Sequence, residues 1–199
     1  MSQRVAVLFV DPRGAYSRVP DVDLWCADRD ARAYQGPWPV VAHPPCASWG
    51  AYSKPSPTSS ARGPLRGCDA GAFRAALAAV QTWGGVIEHP ARSHAWAAHG
   101  LPRPGELGTW VKGPREFFVG YEWAAAVDQG HYGHAARKPT WLYFVGWDPL
   151  PLLGGAATPP ARGGSSPRRG ILERMSKKQR EATPPEFRDL LLRLVDRDR

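Results

Sequence analysis

The sequence predicts a single-domain α/β protein whose mostly parallel sheet is flanked by helices. Three short apolar runs, at 5–10, 40–42 and 86–87, are of the kind that forms strands buried on both faces. Between the second and third runs, the apolar residues of 69–83 recur with a helical period. With 199 residues, 43% of them hydrophobic, the chain can build one sizeable core. We therefore expect one domain over 1–199.

The remaining elements each have a local signal. Asp69 is a suitable N-cap for a helix that ends at the Gly84-Gly85 pair. Thr183 and the prolines after it predict the start of a C-terminal helix at about 184–196, whose apolar stripe should dock on the sheet. Three further segments are predicted as strands, at 22–25, 121–127 and 140–145.

Two segments are rich in Ser, Pro and Gly and are expected to be flexible loops, at 51–68 and 148–170. The chain carries a net charge of +8 and a sequence pI near 9.8. Between Arg162 and Arg180 there are seven basic residues and one acid, Glu173. This charge favours a polyanionic partner such as DNA, and a solvated basic surface is the alternative.

The cysteine and histidine content bounds the compartment and the metal chemistry. Cys26, Cys46 and Cys68 make an odd count, and no secretory segment precedes the first strand, so we expect a cytoplasmic protein. No apolar run approaches the length of a membrane span. His43 and the cysteines lack the close paired spacing of a zinc site, and Trp49 stands where a zinc deaminase would have its second cysteine. We expect no metal.

Cys46 is the candidate nucleophile. Pro44 and Pro45 stop the strand predicted at 40–42 and stiffen the turn, which holds Cys46 at the mouth of a sheet. A single free cysteine is more often a packing residue. The next predicted strand, however, ends in the carboxylate Glu88, which should reach the same edge of the sheet.

Three motifs in order resemble those of DNA cytosine-5 methyltransferases, most closely the short phage-borne proteins of that type. They are Pro44-Pro45-Cys46, Glu88-His89-Pro90, and Gln129 followed by the basic pair Arg137-Lys138. The first is similar to the nucleophile motif, the second to a motif that is normally Glu-Asn followed by Val or Pro, and the third to a strand followed by Gln and basic residues. The resemblance implies a trimmed Rossmann-like methyltransferase architecture.

The resemblance also implies a mechanism. The Cys46 thiolate adds to carbon 6 of a flipped-out or single-stranded cytosine, which makes carbon 5 nucleophilic. Glu88, with its pKa raised by burial, acts as the acid at ring nitrogen 3. The substrate-binding residues would be Pro44, Pro45, Ser48, His89, Arg137 and Lys138. The contacts to the DNA backbone are assigned to Lys54, Arg62, Arg66, Arg168, Arg169, Lys177 and Lys178.

The expected donor position departs from this family. Methyltransferases carry a Gly-rich loop for S-adenosylmethionine after the first strand, where this chain has only Gly14. Asp11, Gly14 and Asp30 are the expected contacts of a one-carbon donor. That donor is S-adenosylmethionine, giving methylation, or methylene-tetrahydrofolate, giving hydroxymethylation. Two alternatives stay open, a non-catalytic DNA-binding module and an enzyme on free cytosine nucleotides. We expect a monomer.

Overall fold

The computed structural model describes residues 4–60, 63–155, 175–176, 179 and 181–196. Seven strands form one sheet: β1 Val5–Leu8, β2 Val22–Trp25, β3 Val40–Ala42, β4 Gly85–Pro90, β5 Trp110–Phe117, β6 Gly120–Asp128 and β7 Pro139–Gly146. The helices in the described ranges are α1 Ala72–Trp83, α2 His94–Ala98 and α3 Pro185–Val195, with two 3-10 turns at Ala31–Ala33 and Gln129–Tyr132. The α/β class is confirmed.

The sheet is mixed, so the prediction of a mostly parallel sheet is wrong. The strand order is β2-β1-β3-β4-β7-β6-β5; the first four strands are parallel, and the three pairs from β4 to β5 are antiparallel. The physical reason lies in the connections of the C-terminal half. Only residues 118–119 link β5 to β6, and only 129–138 link β6 to β7. Neither link is long enough for the crossover that parallel neighbours need.

The strand order reverses at β1, which pairs with β2 on one side and with β3 on the other. Leu8 of β1 is level with Ala42 of β3, and Ala42 is level with Ile87 of β4. The chain therefore leaves the carboxyl ends of three neighbouring strands at one edge. In open α/β sheets, ligands bind at this edge where the strand order reverses.

Helices cover both faces of the sheet. The predicted apolar stripe of α1 is buried on one face, and consists of Phe73, Ala76, Leu77 and Val80. The N-cap of α1 is Gly71 and not the predicted Asp69, but Asp69 still accepts hydrogen bonds from the backbone of Gly71 (3.0 Å) and Phe73 (2.9 Å) at the start of the helix. The predicted stripe of α3 is buried on the other face, and consists of Phe187, Leu190, Leu191 and Leu194. This helix begins at Pro185, two residues after the predicted Thr183 cap.

Strand β5 was not predicted. Gly113 and Pro114 interrupt it, and its register with β6 shifts between Lys112 and Glu116. Because β5 lies at the edge of the sheet, the missing N–H of the proline is tolerated there. The interruption hides the strand from a reading of composition alone.

The segment after Cys46, predicted as a flexible loop, is held at its base. Gly63 donates a backbone hydrogen bond to Tyr52 (3.0 Å), Lys54 donates to Pro64 (2.8 Å), and Gly67 donates to Ser48 (3.1 Å). Of the second predicted loop, residues beyond 155 lie outside the described ranges. Within those ranges, no helix has the length and apolar character needed to cross a membrane.

Candidate active site

The two predicted catalytic residues lie near the carboxyl ends of the paired segments of two neighbouring parallel strands, β3 and β4. Cys46 lies four residues beyond β3, in a turn that Trp49 closes by donating its backbone N–H to the Cys46 carbonyl (3.0 Å). Glu88 lies in β4, one residue beyond the last pairing with β3. Burial and then the negative charge of Glu88 raise the pKa of the half-buried Cys46 thiol. The thiol and the carboxylate therefore share one electrostatic environment.

The Glu88 carboxylate is held on both oxygens. His43 Nδ1 lies 3.1 Å from Glu88 Oε2, and Gln129 Nε2 donates to Glu88 Oε1 at 2.9 Å. Gln129 Nε2 also donates to Thr140 Oγ1 at 2.9 Å. On the far side of His43, the Tyr16 hydroxyl lies 2.9 Å from Nε2. We call these five residues the Glu88 network.

Glu88 is ionised in this network, so the prediction that burial leaves its pKa raised is wrong. Burial raises the pKa of Glu88. The hydrogen bond and charge of His43 and the charge of Lys138 lower it, and their combined effect is larger than that of burial. The result is a pKa below the ordinary value. The sequence indicated the burial of Glu88 but not the partners that oppose its effect.

The two residues of the predicted basic pair, Arg137 and Lys138, differ in position: Lys138 lies at the site, whereas Arg137 has a structural role. The ammonium of Lys138 donates to the Ala182 carbonyl at 3.1 Å, and its positive charge lowers the pKa of Cys46. Burial lowers the pKa of Lys138 itself, while the charges of Glu88 and Cys46 oppose that change. Lys138 therefore brings positive charge to the thiol and the carboxylate.

Arg137 points to a different partner. Its guanidinium Nε donates to Asp128 Oδ2 at 3.1 Å, and Asp128 also accepts from the backbone of Gly130 and Lys138. Burial raises the pKa of Asp128, but these donors hold it below its usual value. The arrangement fixes the connection between β6 and β7, and that is the role the structure gives to Arg137.

Three of the predicted substrate-binding residues are buried. Pro44 is buried, whereas Pro45 is exposed. The Ser48 hydroxyl is buried and has no hydrogen-bond partner among the described residues. His89 is 1% exposed and lies on the opposite face of β4 from Glu88, because successive side chains of a strand alternate. Of these four residues, only Pro45 is on the surface.

His89 belongs to an aromatic cluster under α1. Its ring centroid is 5.3 Å from that of Phe73 and 6.3 Å from that of Trp96. Neither ring nitrogen has a partner with hydrogen-bond geometry in the described part of the chain. His89 was predicted to contact the substrate, but it is a core residue. The motif resemblance did not indicate this burial.

The residues predicted to contact a donor make their hydrogen bonds and ion pairs within their own turns. Asp11 is exposed and accepts from the backbone of Arg13 at 2.8 Å. Gly14 donates to the Asp11 carbonyl at 2.9 Å, and a Cβ at Gly14 would lie 3.0 Å from that oxygen. Asp30 is ion-paired with Arg32 at 2.7 Å. These residues form tight turns, and no glycine cradle is present among them.

Most of the predicted contacts to the DNA backbone lie outside the described residues: Arg62, Arg168, Arg169, Lys177 and Lys178. Lys54 and Arg66 are described, and both are half-buried. Arg66 Nε donates to the Ser53 hydroxyl at 3.2 Å. Both basic residues thus lie in the segment that follows Cys46.

Tyr16, His43 and Thr140 were not predicted as site residues. His43 directly precedes Pro44, so its position beside the nucleophile motif was the signal that could have indicated it. Tyr16 and Thr140 offered no comparable signal, because only the fold brings them to Glu88.

In the described ranges, no three residues among His, Cys, Asp and Glu are grouped so that they could hold a metal ion. Comparison with known protein families, with curated proteins and with solved structures finds no match. The resemblance to cytosine-5 methyltransferases therefore remains a hypothesis based on the three motifs.

Proposed function

We propose that this protein modifies cytosine in DNA at carbon 5, by one-carbon transfer through a covalent adduct at Cys46. The observation that carries the proposal is the position of a half-buried thiol just beyond β3 and of a largely shielded carboxylate in β4, the neighbouring parallel strand. Both lie at the edge where open α/β sheets bind ligands. The trimmed Rossmann-like methyltransferase architecture is part of the same proposal, and the parallel half of the sheet supports it.

In this proposal the Cys46 sulfur attacks carbon 6 of cytosine. Its proton leaves to solvent, since the thiol is only half-buried. The positive charge of Lys138 favours the thiolate, which burial and Glu88 disfavour. As the carbon–sulfur bond forms, the electrons of the ring double bond shift, and ring nitrogen 3 takes up a proton. The product is an enamine that is nucleophilic at carbon 5.

Glu88 is assigned to ring nitrogen 3. Its side chain keeps 12% of its surface exposed, and in this proposal the base approaches the carboxylate from the exposed part. His43 and Gln129 fix its orientation from the two sides. A carboxyl group fixed in this way can transfer a proton without first reorganising.

The residues predicted to contact the one-carbon donor, Asp11, Gly14 and Asp30, do not form a cradle for S-adenosylmethionine, because their polar groups are bonded within their own turns. We therefore derive no step through the donor. S-adenosylmethionine and methylene-tetrahydrofolate are both to be tested.

DNA is the proposed substrate because of charge. The net charge of +8 favours a polyanion, and Lys54 and Arg66 lie in the segment after the nucleophile. A duplex hides carbon 6 of cytosine, so the base must be flipped out or lie in a single strand. We propose that the protein acts as a monomer.

Mass spectrometry of nucleosides tests this function. DNA is incubated with the protein and with each donor in turn, and then digested. We expect 5-methylcytosine or 5-hydroxymethylcytosine with one donor, and neither product with Cys46→Ala. Tight DNA binding without any product would favour the non-catalytic module, and modification of free cytosine nucleotides alone would favour the nucleotide enzyme.

A further inference from the structure

His43 lies between a carboxylate and a phenol in the Glu88 network. Its Nδ1 is 3.1 Å from Glu88 Oε2, and its Nε2 is 2.9 Å from the Tyr16 hydroxyl. The His43 and Glu88 side chains are 13% and 12% exposed, and Tyr16 is buried. The three groups therefore form a hydrogen-bonded chain that is largely shielded from water.

With these two partners, His43 can carry either one or two protons without losing a hydrogen bond. Because an ionised carboxylate only accepts, Nδ1 must donate to Glu88. A tyrosine hydroxyl both donates and accepts, so it satisfies Nε2 in the protonated and in the unprotonated state. The second proton of His43 can thus come and go at little cost in hydrogen bonding.

No other neighbour in the described structure has such a proton within hydrogen-bond reach of Glu88. Gln129 donates from an amide, which does not give up its proton. Lys138 acts on Glu88 through its charge, while its ammonium donates to Ala182. Cys46, on the same edge, also interacts with Lys138 by charge.

Tyr16, at the end of this hydrogen-bonded series, does not pass its proton on. Burial and then the charge of Glu88 hold the pKa of Tyr16 well above its ordinary value of 10.0, so Tyr16 keeps its proton. On the helix packed against it, Arg188 lowers that pKa by its charge and Asp189 raises it. Arg188 also donates to the Ala15 carbonyl at 3.0 Å, which fixes the loop that carries Tyr16.

We propose that His43 is the positioning residue that supplies Glu88 with the proton for ring nitrogen 3 of cytosine. The inference rests on the proposed function. In the first transfer, the Nδ1 proton of doubly protonated His43 passes to Glu88 Oε2. Neutral His43 then keeps its remaining proton on Nε2 and donates it to the Tyr16 oxygen.

The second transfer completes the balance. Glu88 gives the proton to ring nitrogen 3 as the Cys46 sulfur bonds to carbon 6, and the carboxylate is restored. When the sulfur leaves, the proton returns through Glu88 to His43, so the cycle consumes no proton at this end of the ring. The relay explains how a carboxyl group that is ionised in the free protein can act as an acid.

The test uses tritium release from DNA labelled at carbon 5 of cytosine. Addition of the thiolate, protonation at carbon 5 and elimination exchange this hydrogen with water, and no one-carbon donor is needed. We expect His43→Gln to lower the release rate by about 10²–10³. The pH profile of the release rate should also differ between the wild type and His43→Gln, because the relay moves its proton through His43. DNA binding should not change.

Matched variants separate the relay from a merely structural role. His131→Gln removes a histidine whose Nε2 lies 3.1 Å from the Gly155 carbonyl, outside the network, and should keep the wild-type rate and pH profile. Tyr16→Phe keeps the ring but removes the acceptor for protonated His43. Its pH profile should therefore also differ from that of the wild type. A wild-type profile in Tyr16→Phe or in His43→Gln would overturn the relay.

Nitrogen-15 NMR of the His43 ring distinguishes failure of the relay from failure of the proposed function. Under the conditions of the tritium-release assay, we expect both ring nitrogens of His43 to carry a proton in the wild type, because the relay needs the doubly protonated ring. A singly protonated His43 in the wild type would overturn the relay, whatever the tritium result. If the wild type releases no tritium although His43 is doubly protonated, the proposed chemistry on cytosine is wrong. The protonated His43 beside Glu88 would then still be supported.

Discussion

His89 should make the stability of this protein sensitive to acid. Burial lowers the pKa of His89 from its ordinary value of 6.5 to about 4, against the raising effects of Glu88 and of the Pro44 and Pro45 carbonyls. Those carbonyls lie near the ring but outside hydrogen-bond geometry, so burial prevails. The side chain is 1% exposed and packs against Phe73.

The sign follows from the two states of the chain. Below pH 6.5, the unfolded protein protonates His89, whereas the folded protein does not until about pH 4. The unfolded state therefore binds more protons in this window, and stability falls as the pH falls. One pKa unit is worth about 1.4 kcal/mol, so the full window corresponds to a loss of about 3 kcal/mol.

Urea unfolding at several pH values measures this loss. Glu88 and Asp128 also have lowered pKa values and add their own acid sensitivity, so the comparison is with His89→Leu. At about pH 7.5 the two proteins should differ little, because leucine replaces a polar ring that has no partner. At about pH 4.5 the variant should be more stable by about 2–3 kcal/mol relative to that baseline. Parallel pH curves of the wild type and His89→Leu would show that His89 is not the source of the acid sensitivity.

Two further predictions concern the proposed chemistry. Glu88→Gln keeps the shape of the side chain but removes the acid, so tritium release should fall by about 10²–10⁴ while DNA affinity is retained; an undiminished rate would remove Glu88 from its role. Replacing Lys54 and Arg66 by Gln should weaken DNA binding and reduce its salt slope by about one for each phosphate that is no longer neutralised. The control Lys112→Gln removes a charge that lies over the Tyr121 ring, and an equally large effect there would indicate a general charge effect.

The sequence predicted elements wherever a local signal was sufficient. Continuous apolar runs located β1, β3 and β4, and Asp69 located the start of α1. The antiparallel half was missed because the direction of a strand depends on the length of its connection, which the composition of the strand does not show. Gly113 and Pro114 concealed β5, since neither residue is typical of a strand interior.

The positions of the proposed site residues could be predicted from the sequence more readily than their surroundings. Motif spacing predicted that Cys46 follows β3 and that Glu88 belongs to the next strand, β4. The protonation of Glu88 could not be obtained in this way, since it depends on His43 and Lys138, which only tertiary packing brings near. His89 was misassigned because the alternation of side chains along β4 turns it into the core.

The proposed function depends above all on addition of the Cys46 sulfur to cytosine in DNA. Tritium release from carbon 5 tests this step most directly, because it requires the addition and no one-carbon donor. Cys46→Ala is compared with Cys68→Ala, which removes an exposed thiol elsewhere on the chain. We expect release by the wild type and by Cys68→Ala, and none above background by Cys46→Ala. Release by Cys46→Ala at the wild-type rate, or no release by the wild type, would contradict the proposed addition.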